Sequence, residues 1–141
     1  MCGIAGLIHR GKSSNVGEEL QSMLQALKHR GPDSTGYALY ANNDGQNFIL
    51  RFKVGENVGE GSSSVNEDES VYNERKKTVD KKLSELGAIV VKDEKLTPYS
   101  YRYEMKFDKD LMDFSKAIES IESVEILSIG KSLELIKDLG D

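Results

Sequence analysis

The sequence predicts a chain of the α+β class, and three observations carry that reading. Several stretches repeat apolar residues at helical spacing, one stretch alternates apolar and polar residues with a strict period of two, and short apolar runs stand between them. With 38% hydrophobic residues, the 141-residue chain can form one ordinary core or two small ones. Charge divides it unevenly. Six Lys/Arg against four Asp/Glu give residues 1–55 a net of +2, and thirteen against twenty give residues 56–141 a net of −7. Between the halves runs GENVGEGSSSVNEDES, from Gly55 to Ser70, which has almost no large apolar residue and reads as a mobile linker or long loop. We therefore expect three parts: residues 1–55, a linker over 56–66, and a small α+β subdomain over 67–141.

In the first part, Cys2 to His9 is short and apolar enough for a buried strand, and it ends at Arg10, Gly11 and Lys12. Asn15 and Glu18 have the spacing of a capping box, after which Val16, Leu20, Met23, Leu24 and Leu27 fall on one helical face. Gly31 and Pro32 stop that helix. Tyr37 to Ala41 and Phe48 to Val54 are expected as a hairpin across Asn42-Asn43-Asp44-Gly45, residues that tolerate the positive φ of a tight turn.

The second part begins with a charged helix from about Glu67 to Leu86, apolar at Tyr72, Val79, Leu83 and Leu86 and closed by Gly87. A short strand, Ala88 to Val91, follows. After Thr97-Pro98, residues Tyr99, Tyr101, Tyr103, Met105 and Phe107 alternate with Ser100, Arg102, Glu104 and Lys106, so this strand buries one aromatic face. Asp110 is placed to cap a helix presenting Leu111, Phe114, Ile118 and Ile121. Val124 to Ile129 then reads as a strand and Lys131 to Leu139 as a last helix. No cysteine, histidine or phosphate-loop signature occurs over residues 67–141, which points to packing or docking there rather than chemistry.

A net charge of −5 is the wrong sign for tracking phosphate backbones, so nucleic acid is not an expected partner. No apolar run approaches the ~20 residues of a membrane helix, and the opening MCGIAGLIHRGK has its charges after the apolar stretch, unlike a signal peptide. We expect a cytoplasmic chain with no membrane partner. One cysteine and two histidines exclude a disulfide framework and offer little to a metal, so no cofactor or metal site is expected.

The single thiol raises a chemical question. Removal of Met1, which a small second residue permits, would leave Cys2 with both a thiol and a free α-amine. The amine titrates near ~7.7–8.0 and the thiol near ~8.5, so at neutral pH one residue can supply nucleophile and base. By itself, a cysteine at position 2 is no more than a small apolar residue at a strand start. A second feature stands beside it: His29-Arg30-Gly31-Pro32-Asp33-Ser34-Thr35-Gly36 places an Arg, an Asp and two hydroxyls in a turn that could edge an active-site floor. Taken alone, that turn also has a structural explanation, with a helix stop at Gly31 and Pro32 and an Arg30 to Asp33 pair.

Together, Met1-Cys2-Gly3-Ile4-Ala5-Gly6-Leu7-Ile8 and His29 to Tyr37 resemble the opening of class II glutamine amidotransferases, a branch of the N-terminal-nucleophile hydrolases. The resemblance covers roughly residues 1–55 and is nearest to the amidotransferase subunits related to glutamate synthase, although asparagine synthetase begins in a similar way. It implies glutamine as substrate. Cys2 would attack the side-chain amide, its amine would move the proton to the leaving ammonia, and water would release glutamate from a thioester. Ammonia would pass to a synthase domain or subunit. Arg30, Gly31 and Asp33 would take positioning roles at the substrate. The fold implied is a partial αββα sandwich over the first part, followed by the small α+β subdomain.

The chain also departs from that pattern. The family needs a Gly-His-Thr-Arg-type segment to grip the glutamine carboxylate, and none is present. It needs an Asn-Gly pair for the oxyanion hole, and no asparagine here precedes glycine. Loss of one oxyanion donor costs ~100- to 1000-fold in rate, so residues 1–141 are expected to be a poor glutaminase alone and to be the amino-terminal part of a longer protein. The competing reading is a non-catalytic docking or regulatory subunit that binds a synthase through acidic residues 56–141.

Overall fold

A strand buried on both faces must sit inside a sheet, and Phe48–Lys53 does so in the computed structural model, which describes residues 3–8, 10–11, 15–30, 34–40, 45–55 and 68–139. Of Arg30, Ser34, Thr35 and residues 137–139 only the backbone is described. The order of elements is α1 (Val16–Ala26), a 3-10 turn (Lys28–Arg30), β1 (Ser34–Tyr40), β2 (Phe48–Lys53), α2 (Glu69–Leu86), β3 (Ile89–Lys95), β4 (Ser100–Lys106), α3 (Leu111–Glu119), β5 (Glu125–Gly130) and β6 (Leu133–Leu139). The α+β expectation is met. The residues form two compact units, 1–36 with 137–141 and 37–136.

In the smaller unit, residues 3–8 belong to no strand, which corrects the expected strand from Cys2 to His9; those two end residues lie outside the described ones. Ile4 and Ile8 are 92% and 90% exposed. The apolar face of α1 is formed as the spacing predicts, yet none of its residues is buried. Asn15 occupies the N-cap, but its side chain makes no capping hydrogen bond, so the expected capping box is not formed. The helix ends at Ala26 with Leu27 as C-cap and tightens into the 3-10 turn, four residues before the Gly31-Pro32 stop.

The larger unit is built on a four-stranded sheet of order β3-β4-β2-β5. β2 lies antiparallel to β4, with Leu50 opposite Tyr103, Arg51 opposite Arg102 and Phe52 opposite Tyr101. On its other side β2 lies antiparallel to β5, where a bulge between Arg51 and Phe52 shifts the partners from Ser128 to Ile126. Both edges of β2 are thus occupied. The expected hairpin between Tyr37–Ala41 and Phe48–Val54 is not formed: β1 pairs with β6 in a separate two-stranded sheet, and the turn residues 41–44 lie outside the described ones. The expected helix over Lys131 to Leu139 is also corrected, since this segment is the strand β6.

The core of this unit lies where one face of the sheet meets α2 and α3, and it unites Leu50, Phe52, Tyr101, Tyr103, Met105, Val79, Leu83, Phe114 and Ile118. The period-two aromatic stripe supplies its centre. Phe52 stacks on Tyr101 at 5.4 Å and meets Tyr103 edge-on at 5.0 Å, and each buried ring contributes about 1.5–3 kcal/mol by leaving water. α2 begins at Asp68, whose carboxylate accepts from the Ser70 N–H, and ends at Gly87 with φ +87°, a left-handed cap that an L side chain adopts only under strain. The carboxylate of Asp110 accepts from the N–H groups of Met112 and Asp113 at the start of α3, the cap its position predicts.

Candidate functional site

Of the four residues that the sequence nominates, one falls within the described structure. Cys2, Gly31 and Asp33 lie outside it. Arg30 closes the 3-10 turn after α1, with its backbone alone described. His29 is exposed in the same turn, and His9 lies outside the described residues. Among the described residues, no group of three or more His, Cys, Asp or Glu is arranged to hold a metal, and no helix is long and apolar enough to cross a membrane.

Among the described residues, the groups whose titration is shifted stand in the larger unit, on residues to which the sequence reading gave no chemical role. Alternation along β2 and β4 turns Arg51 and Arg102 to the face opposite the aromatic core, where they are direct cross-strand neighbours. Two cations so placed would repel. Glu134 of β6 lies between them. Arg51 Nε donates to Glu134 Oε2 at 2.6 Å, and Arg102 donates from Nε to Oε2 and from NH2 to Oε1, both at 2.9 Å. Arg102 NH1 also donates to Glu94 Oε2 at 2.9 Å. Hydrogen bonds from Arg102 and then Arg51 hold the Glu134 carboxyl below the usual carboxylate value, and Glu94 is lowered by Lys92 and then Arg102. Arg102 is correspondingly held protonated. Both oxygens of Glu134 and both of Glu94 are engaged, by Arg51, Arg102 and Lys92, which suits fixing β6 to the sheet rather than reacting with a substrate.

A second polar group lines a cavity of about 350 Å³ beside α2. Tyr103 Oη donates to Asp80 Oδ1 at 2.6 Å, Lys76 Nζ donates to Asp80 Oδ2 at 2.8 Å, and the ammonium lies 5.3 Å from the centre of the Tyr103 ring. Burial, reinforced by the Asp80 carboxylate, keeps the Tyr103 phenol protonated well above its ordinary range. These groups also satisfy one another. One signal for the Arg51 network was present in the sequence: a lone arginine inside the apolar run Phe48-Ile49-Leu50-Arg51-Phe52 requires a buried counter-charge.

Similarity to known proteins covers the first part of the chain in a family model and nearly all of it in one relative. Residues 1–51 match the family model described as the glutamine amidotransferase domain. A protein of Methanothermobacter thermautotrophicus, named provisionally as a glutamine amidotransferase, is 32% identical over 99% of this chain and 44% of its own length. A protein of Methanocaldococcus jannaschii, named provisionally as a glutamine-hydrolyzing asparagine synthetase, is 50% identical over 40 residues, 28% of this chain and 8% of its own length. The chain thus spans less than half the length of either relative. No solved structure matches.

Proposed function

We propose that residues 1–51 form the nucleophile-bearing part of a glutamine amidotransferase of the N-terminal-nucleophile type, acting in the cytoplasm. The observation that carries this reading is a conjunction: the amidotransferase match covers the same residues that place a thiol at position 2 and the Arg30-Gly31-Pro32-Asp33 turn after the helix. After loss of Met1, the Cys2 sulfur attacks the glutamine side-chain carbon while the α-amine takes the thiol proton. The carbon–nitrogen bond breaks as that proton passes to the leaving nitrogen, and ammonia departs. Water then cleaves the thioester to give glutamate and the free thiol. Arg30, Gly31 and Asp33 position the substrate. Ammonia passes to a synthase, and the short similarity to a protein named for a glutamine-hydrolyzing asparagine synthetase supports a recipient of that general kind, with glutamate synthase the other candidate.

The test uses the full-length protein with a glutamine-like electrophile. The expected result is one adduct, mapped to Cys2, with glutaminase turnover abolished by Cys2→Ala. An adduct elsewhere, turnover that survives the substitution, or a mature chain that retains Met1 would refute the reading. A full-length protein that lacks both an Asn-Gly pair and a Gly-His-Thr-Arg-type segment would favour the second reading, a docking or regulatory subunit. In that case Cys2→Ala leaves complex formation and synthase output unchanged.

A further inference from the structure

β6 does not join the four-stranded sheet; it pairs with β1 in a ribbon of two strands. Such a ribbon is marginal in water by itself, so its place depends on what it is tied to. Two polar ties run from β6 to the sheet. Glu134 accepts from Arg51 of β2 at 2.6 Å and from Arg102 of β4 at 2.9 Å. The next residue, Leu135, donates its N–H to Ser128 Oγ of β5 at 3.0 Å. Ser128 stands opposite Arg51 in the ladder, so both ties reach neighbouring points on one face.

Glu134 is only 8% exposed, and attaching a strand through a buried ion costs desolvation that an apolar side chain in its place would avoid. What the ion adds is direction. Its three hydrogen bonds to the two arginines have fixed geometry and set the register of β6, whereas an apolar contact leaves a strand free to slip. The register of β6 governs that of its partner β1, and β1 begins at Ser34, the residue after Asp33. On the other side, the 3-10 turn ends at Arg30 and follows α1, a helix with no buried residue. The firmer of the two supports for Arg30 to Asp33 is therefore the strand.

We propose, on the amidotransferase reading above, that Glu134 is a positioning residue for the reaction: with Arg51, Arg102 and Ser128 it holds the β1–β6 ribbon, and through the start of β1 the Arg30 to Asp33 segment that binds glutamine. In this role none of the four side chains touches substrate. Their loss weakens binding and leaves the thiol as it was.

The test follows labelling of Cys2 in the full-length protein by two reagents: the diazoketone analogue of glutamine, whose rate saturates as the site fills, and iodoacetamide, which reports the thiol alone. In Glu134→Gln the diazoketone concentration at half-saturation should rise about tenfold or more, the worth of one misplaced hydrogen bond to a charged substrate group, with the maximal rate and the iodoacetamide rate as in wild type. Ser128→Ala removes one neutral hydrogen bond from a half-buried position and should raise half-saturation by a smaller factor. Tyr103→Phe loses a hydrogen bond on the opposite face of the same sheet and should change none of these quantities. The backbone amide resonances of residues 34–40 should shift in the first two variants and not in the third. Absence of saturable labelling in wild type would refute the amidotransferase reading and the positioning role with it. Saturable wild-type labelling with half-saturation unchanged in Glu134→Gln, or in Ser128→Ala should the first variant fail to fold, would overturn the positioning role alone. An equal rise in Tyr103→Phe, or unshifted residues 34–40, would do the same.

Discussion

Removing the Glu134 carboxylate should destabilise the larger unit by about 3 kcal/mol, and the value follows from what each arginine loses. In Glu134→Ala, Arg102 is 20% exposed and keeps Glu94, so its charge remains compensated. Arg51 is only 9% exposed and loses its one ion pair among the described residues, while facing Arg102 directly across the strands. Breaking one side of a buried pair costs ~3–5 kcal/mol, and the partial compensation of Arg102 places the expectation at the lower end. Against a typical total of ~5–15 kcal/mol, that loss is readily measured by urea unfolding and lowers the thermal midpoint by about 10 °C. Glu134→Gln keeps the shape and one acceptor and should lose less, about 1.5–3 kcal/mol. The pH dependence carries a sign. The folded-state carboxyl titrates below its ordinary value of 4.5, so its stabilisation is present above that value and is lost as pH falls through the lower folded one. Glu134→Gln should therefore flatten the acid limb of stability below pH 4.5. A loss under about 1 kcal/mol in Glu134→Ala at pH 7, or parallel acid limbs for wild type and Glu134→Gln, would refute the account of this network.

Two further changes test other parts of the larger unit. Tyr103→Phe removes the donor to Asp80 Oδ1 while Lys76 still satisfies that carboxylate, so it should cost about 1 kcal/mol in denaturant unfolding. In wild type, spectrophotometric titration should show one tyrosine that resists ionisation through its ordinary range near 10 and titrates only on unfolding; that signal should vanish in Tyr103→Phe. Asp110→Ala strips two N–H groups of α3 of their acceptor and should cost ~0.5–2 kcal/mol, with Asp110→Asn recovering most of it.

What the sequence reveals of this fold is what neighbouring residues decide among themselves. Asp110, Gly87 and the alternation from Tyr99 to Phe107 act within a few residues, and each occurs where the pattern places it. The hairpin expected across Asn42 to Gly45 failed for a non-local reason. β2 buries Ile49, Leu50 and Phe52 and takes β4 on one side and β5 on the other, so β1 has no free edge to join. β6 was misread because periodicity treats the buried position as the apolar one. Here the order is inverted: Glu134 is buried against two arginines while Leu135 is 39% exposed, and an apolar pattern searched for helical spacing is misled. Cys2 was nominated by its place in the segment from Met1 to Ile8 taken together with the turn from His29 to Tyr37, a resemblance of short local strings that needs no contact brought in by folding. Arg51 did advertise a missing counter-charge, but the glutamate that answers it lies 83 residues further on, a separation that leaves no periodic trace.

That separation also bears on how the amidotransferase-like segment can be handled as a piece. The family match ends at residue 51, inside β2. A chain cut there loses Phe52, both strands that flank β2, and the glutamate that neutralises Arg51. Ile49 and Leu50, now 2% and 0% exposed, would return to water at about 1.5–3 kcal/mol each, and α1, with no buried residue of its own, offers nothing to replace that loss. Helices of this length are marginal in isolation. Residues 1–51 alone should therefore show no cooperative thermal transition and little helical circular dichroism, whereas residues 1–141 unfold cooperatively. A sharp transition in the short chain would mean that the matched segment folds on its own, and that the sheet around Arg51 is an attachment to it rather than its support.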